Sequence, residues 1–283
     1  MDKLPNILRI PGRPLLVAAA VLATGCANEF NQVYKSADTN YKYEYAKACY
    51  AKGKYAKAVT LLQETVTPLK GSDSGEECLY MLAMAEYMAK DYGTAAEYFK
   101  KYHSSYPGGT YAEEAKFYVG QSLYMDTPEP RLDQSQTVSA IAAFQEFLDR
   151  YPGAKWKDTA QRRLFELQDK LVAKEYHSAK LYFDLGTYFG NCTEGGNNYE
   201  ACIVTAQNAI KDYPYTSRRE EFAVLVMKSK YELARQSVEE KMEERFQDAQ
   251  DECYGFINEY PESKERATAE KYIRKCKEAL GQS

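Results

Sequence analysis

Two histidines, seven cysteines and 26 tyrosines are the side chains with chemistry to offer in this 283-residue chain. His103 stands in Lys100-Lys101-Tyr102-His103, near the end of a predicted helix and on its solvent side. His177 follows Tyr176 at a predicted helix junction. The chain contains no G-x-S-x-G, H-E-x-x-H, G-x-G-x-x-G or P-loop pattern, so no nucleophile elbow, zinc helix or phosphate cradle is written in it. It also lacks C-x-x-C, and no two cysteines have zinc-ligand spacing with a histidine nearby. A non-enzymatic protein without metal or cofactor is the expectation. With 37 basic and 41 acidic residues and a pI near 5.5, the chain carries no nucleic-acid footprint. The acid runs Glu239-Glu240 and Glu243-Glu244 alternate with Lys241 and Arg245 and read as a solvated helix face.

The sharpest local signal surrounds Cys26. Lys3, Arg9 and Arg13 precede the apolar run Leu15–Ala23, which closes on Thr24-Gly25-Cys26. As a helix, a run of that length rises only about 13 Å, against a bilayer core of about 30 Å. It therefore reads as the apolar core of an export signal, residues 1–25, and not as a membrane span. Small residues before a cysteine resemble the lipobox of bacterial lipoproteins. That resemblance implies that Cys26 is acylated and becomes the first residue of the mature chain. Ala23 stands where the lipobox usually has leucine, with Leu22 one place further out.

The other six cysteines are Cys49, Cys78, Cys192, Cys202, Cys253 and Cys276. An exported chain can form disulfides. Cys192 and Cys202 flank the loop Thr193–Ala201 as one candidate pair, and Cys253 with Cys276 is another. Cys202 and Cys253 also occupy buried places of the repeat described next, where a free thiol is a comfortable small core residue.

The elements that would position any site come from an internal repeat. Tyr92, Ala95, Phe99, Tyr102 and Pro107 are spaced three, four, three and five apart. Thr137, Ala140, Phe144, Phe147 and Pro152 keep the same ruler, as do Tyr199, Cys202, Ala206, Ala209 and Pro214, and Phe246, Ala249, Cys253, Phe256 and Pro261. Tyr55, Ala58, Leu62 and Thr65 begin the series. Steps of three and four keep these side chains on one helix face, and the proline ends the helix. A partner helix precedes each, with Ala46, Ala83 or Gly120 at the place of close approach and an insertion, Asp126–Pro130, after the third. The pattern resembles the tetratricopeptide repeat. It implies an all-α, right-handed superhelical solenoid of about five αα-hairpins. The expected organisation is a signal over 1–25, a lipid-anchored linker over 26–39, repeats one to three over 40–152, and repeats four and five with an extra helix over 153–283.

Four helices end on Tyr-Pro: Tyr106-Pro107, Tyr151-Pro152, Tyr213-Pro214 and Tyr260-Pro261. Together with Asp158–Leu164, Lys174-Glu175-Tyr176, Ala179–Tyr182 and Gly186-Thr187-Tyr188, the chain resembles the BamD family from Cys26 to about Pro261. These are lipoprotein subunits of the machinery that assembles outer-membrane β-barrels. The resemblance implies a scaffold on the periplasmic side of the outer membrane of a Gram-negative bacterium. Its partners would be a BamA-type barrel subunit, other assembly-machine subunits and unfolded outer-membrane proteins. Another tetratricopeptide envelope lipoprotein, serving division or peptidoglycan coordination, is the second reading, and a glycan-binding lipoprotein the third.

In such repeats the first helix of each pair lines the groove, so a constant offset marks a stripe along it. Tyr43, Tyr80 and Phe117 are 37 residues apart, as are Tyr50, Tyr87 and Tyr124; Lys47, Met84 and Gln121 fall between them at the same interval. An extended peptide with alternating aromatic side chains could rest on these rings while the hydroxyls bond its backbone. The competing reading is that the tyrosines only pack helix against helix.

Overall fold

The computed structural model describes residues 29–188 and 197–282. The expected export signal, Cys26 and Cys192 lie outside the described residues. Within them every regular element is an α-helix. A short α1 (residues 29–35) leads into α2 (Thr39–Ala51) and α3 (Tyr55–Thr65). Then come α4 (Gly75–Met88) with α5 (Tyr92–Ser105), and α6 (Ala112–Met125) with α7 (Ser135–Arg150). They are followed by α8 (Lys157–Leu185), α9 (Asn198–Asp212), α10 (Arg219–Arg235), α11 (Glu239–Glu259) and α12 (Arg266–Ala279).

The punctuation has local causes. Asp38 and Asp91 cap α2 and α5 by accepting from the Tyr41 and Thr94 amides at 3.0 and 3.1 Å, and Asn197 caps α9 from the Tyr199 amide at 2.8 Å. At the other end, proline forbids α geometry to the residue before it. Tyr106, Tyr213 and Tyr260 accordingly swing to φ of −132°, −126° and −128° and stop α5, α9 and α11. Within the first two hairpins the turn is left-handed. Gly53 adopts φ +68°, and Lys90, 37 residues later in the same turn, is held at the same angle without glycine's freedom.

The chain divides into two compact units. One runs to Asp126 and takes in Ala142–Ala160; the other comprises Thr127–Ile141 and Gln161–Ser283. In the first, Ala58, Leu62, Ala95, Phe99, Tyr102, Phe144 and Phe147 are buried, with Ala46 and Ala83 opposite them. Gly120 lets α6 approach Phe144 so closely that a Cβ there would lie 2.7 Å from the ring. In the second, Cys202, Ala206 and Ala209 are buried with Phe222 and Val226, Cys253 and Phe256 with Met227, and Phe246 and Ala249 with Tyr231 and Ala234. The repeat ruler thus reads out as core in both units. The architecture is all-α, built from hairpins of the tetratricopeptide kind. Among the described residues no helix is long and apolar enough to cross a membrane.

Candidate binding face

Helices α2, α4 and α6 each carry two ring positions seven residues apart, two turns along one stripe. The structure treats the two stripes differently. Tyr43 and Phe117 are buried and Tyr80 is half-buried. Tyr80 stacks on Tyr111 at 4.2 Å, and Phe117 stacks on Trp156 at 4.9 Å, each pairing with the ring that opens the next hairpin. Tyr43 donates to Glu77 at 2.9 Å, from the first turn of α4. This stripe knits consecutive hairpins together.

Tyr50, Tyr87 and Tyr124 are half-buried, with part of each ring in solvent. Tyr50 meets Tyr55 edge-on at 5.5 Å, and Tyr87 meets Tyr92 and Tyr118 edge-on at 5.4 and 5.1 Å. Lys47 pairs with Glu44 at 2.5 Å and lies 4.8 Å above the Tyr43 ring. Met84 is half-buried against the core of α4 and α5. Gln121 is buried, with Nε2 3.5 Å from the Tyr87 hydroxyl and no hydrogen-bond partner for Oε1 among the described residues.

Two residues outside the predicted set complete the face. Tyr118 stacks on Phe99 at 5.3 Å, and its phenol is pushed up first by burial and then by the charge of Glu114. Burial and then the Glu114 charge and hydrogen bond raise the Tyr80 phenol, and burial, Tyr55 and Glu114 raise that of Tyr50. One carboxylate from α6 therefore reaches tyrosines of α2, α4 and α6. The signal was present in the chain: Glu76-Glu77 and Glu113-Glu114 repeat at the 37-residue interval of the stripes. The first of each pair braces the loop that ends its hairpin. Glu76 accepts from Tyr102 Oη at 2.5 Å and from the Thr110 amide at 2.6 Å, and Glu113 from the Lys155 amide at 3.3 Å. The second of each pair receives a tyrosine from the preceding hairpin.

Among the described residues no cysteine is an exposed, activated thiol. Cys49, Cys78, Cys202, Cys253 and Cys276 are free and buried, and burial raises each thiol, Cys253 to about 12 and Cys276 to about 11. A protonated thiol sealed in a core is inert. His103 differs from the solvent-side placement expected of it. It is half-buried, lies 3.1 Å from the Tyr151 hydroxyl and has its pKa lowered chiefly by burial. Among the described residues no cluster of histidines, cysteines and acids could hold a metal ion.

The fold and this face define a helical-repeat scaffold whose exposed chemistry is ring, hydroxyl and carboxylate. The chain belongs to the YfiO family, described as outer membrane lipoprotein, whose model matches residues 35–193. It is similar to the outer membrane protein assembly factor BamD of Caulobacter vibrioides, 28% identical over 189 residues that cover 64% of this chain and 62% of that one. It is also similar to the putative outer membrane protein assembly factor BamD of Aquifex aeolicus, 30% identical over 145 residues, 50% of this chain and 46% of that one. The match thus spans between about half and three fifths of these relatives' lengths. Among solved structures, a TPR2AB domain complex of yeast Sti1 overlays with a TM-score of 0.40 at 14% identity, covering 86% of this chain and 87% of that one.

Proposed function

We propose that this chain is a non-enzymatic scaffold in the assembly of outer-membrane β-barrel proteins, tethered to the outer membrane on its periplasmic side through acylated Cys26. The first unit takes extended segments of unfolded barrel proteins along its tyrosine face. The second half of the chain holds a BamA-type barrel subunit. The observation that carries the reading is the set of half-buried tyrosines: Tyr50, Tyr80 and Tyr118 share the charge of Glu114, and Tyr87 meets Tyr118 edge-on. Rings supply apolar area at small entropic cost and hydroxyls supply donors, the combination an extended, alternating segment requires. A peptide amide brought to this face would also give Gln121 Oε1 the donor it lacks. The names of the two relatives support the cellular setting. Binding here works by position, because tethering raises the local concentration at which weak contacts operate.

The test is affinity purification of the tagged chain from detergent-solubilised outer membrane, with partners identified by mass spectrometry. Near-stoichiometric recovery of a large barrel protein with periplasmic repeat domains is the expected result. Recovery of division or cell-wall proteins without that barrel would move the function to another class of envelope lipoprotein.

A further inference from the structure

The insertion between α6 and α7 builds a second site, within the second unit. The segment from Thr127 to Gln134 has no helix to hold it, yet it is tied down at both ends. Gln134 is buried and donates to the Glu129 and Leu132 carbonyls at 2.8 and 3.1 Å, while its Oε1 accepts from Thr137 Oγ1 at 2.7 Å. Lys170 of α8 donates to Thr127 Oγ1 at 2.6 Å. A loop so over-determined fixes what it displays, and it displays Arg131.

Arg131 stands at the rim of a cavity of about 380 Å³ whose wall is one face of α8, including Lys174, His177, Lys180, Leu181 and Asp184. Lys180 bonds both carboxylate oxygens of Asp184 at 2.8 Å, which cancels one cation against the one acid among the described lining residues. Arg131 and Lys174 make no hydrogen bond or ion pair among the described residues. The Asp133 carboxylate, in the same loop, bears on Lys174 through space without a hydrogen bond or ion pair to it. A guanidinium, an ammonium and an imidazole thus converge on one concavity with neither cation held in an ion pair among the described residues. A guanidinium fork beside an ammonium matches a phosphate's oxygens. The apolar part of the surroundings is equally unanswered: Leu132 and Leu181 are 59% and 58% exposed.

We infer that this cavity is an anion site for a phosphodiester carrying apolar chains, the headgroup chemistry of an anionic phospholipid. Arg131 and Lys174 grip the phosphate, His177 donates to it, and Leu132 and Leu181 meet the start of the acyl chains. Membership of a family of outer membrane lipoproteins places a lipid surface within reach. The inference stands apart from the tyrosine face, which lies in the first unit and uses none of these residues.

Calorimetric titration of the full chain with dihexanoyl phosphatidylglycerol, kept below its micelle concentration, tests it. Dihexanoyl phosphatidylcholine and inorganic phosphate serve as the comparison ligands. The expected result is saturable binding of phosphatidylglycerol that weakens at least tenfold in the Arg131→Gln, Lys174→Gln double variant and largely survives in Arg131→Lys. Neither position makes a hydrogen bond or ion pair among the described residues, so circular dichroism and the thermal midpoint should match the parent protein. Equal binding of the two lipids, or binding unchanged in the double variant, overturns the site. Inorganic phosphate binding as tightly as phosphatidylglycerol, and lost in the double variant, overturns the lipid as the source of the phosphate.

Discussion

The two units are cut to the same ruler and present opposite chemistry on the faces it leaves free. In the first, the helix positions outside the core carry tyrosines with a shared carboxylate, Glu114. In the second, a cavity of about 650 Å³ is lined by apolar side chains such as Phe183, Val224 and Leu225 together with charges of both signs, Glu220, Lys228, Glu262 and Lys264. The core positions admit only small or apolar side chains, because a close-packed interior feels a change of one methylene. The face positions carry no such constraint. Under the proposed function, one hairpin design serves an extended apolar segment on one unit and a charged, folded partner surface on the other.

The comparison can be broken first at the shared core. Phe144→Ala in the first unit and Phe256→Ala in the second each empty a buried ring site on the ruler, and each should cost about 3–5 kcal/mol in urea denaturation. Losses well under 1 kcal/mol in either unit would mean that the ruler does not mark core there. Gly120→Ala asks the reverse question, driving a methyl group to 2.7 Å from the Phe144 ring. Overpacking should cost about 1–3 kcal/mol by the same measurement.

The faces are then to be separated from the cores. The Tyr50→Ala, Tyr87→Ala double variant should weaken binding of a peptide from the C-terminal strand of a barrel protein about tenfold, near 1.4 kcal/mol. Fluorescence anisotropy reads that loss, and circular dichroism should show retained helix. The charge-neutralised Glu220→Gln, Glu262→Gln variant should bind the same peptide as the parent protein does. If the tyrosine variant unfolds, the second stripe belongs to the core and the contrast between the units fails.

Two smaller effects sharpen the picture of the first unit. Lys90→Gly relieves a left-handed lysine in the turn where Gly53 stands one repeat earlier, and should stabilise by about 1 kcal/mol in denaturant titration. His103 adds a pH dependence of fixed sign. Burial lowers its pKa below the ordinary 6.5, so the unfolded chain binds the proton more readily than the folded one. Its contribution is present above the unfolded pKa and is lost as the pH falls through the folded value. His103→Gln should therefore flatten the decline in thermal midpoint between about pH 7 and pH 5. A decline of the same slope in the variant would assign that loss to other groups.

Much of this was legible in the chain. The three-four-three-five spacing located the buried side of α3, α5, α7, α9 and α11, because helical periodicity is a local property that each segment expresses alone. The Tyr-Pro pairs gave the helix ends for the same reason: a proline restricts its neighbour whatever the tertiary context. The 37-residue interval singled out both tyrosine stripes, but it could not rank them. Tyr43 and Phe117 are buried while Tyr50, Tyr87 and Tyr124 are half-buried, because burial depends on what the next hairpin brings to each position, Glu77 to Tyr43 and Trp156 to Phe117.

Sequence by itself determined the hairpins, their core residues and the absence of a nucleophile motif, all of which rest on near-neighbour geometry and on residue type. Only the tertiary structure decided that Glu114 serves tyrosines of three helices, that Trp156 covers Phe117, and that a pinned loop sets Arg131 over Lys174 and His177. Apart from Glu114 with Tyr118 on one helix, those meetings join residues from 34 positions apart, Glu114 with Tyr80, to 64, Glu114 with Tyr50. A periodicity of three to four residues holds no information at that range; it is supplied when the hairpins pack.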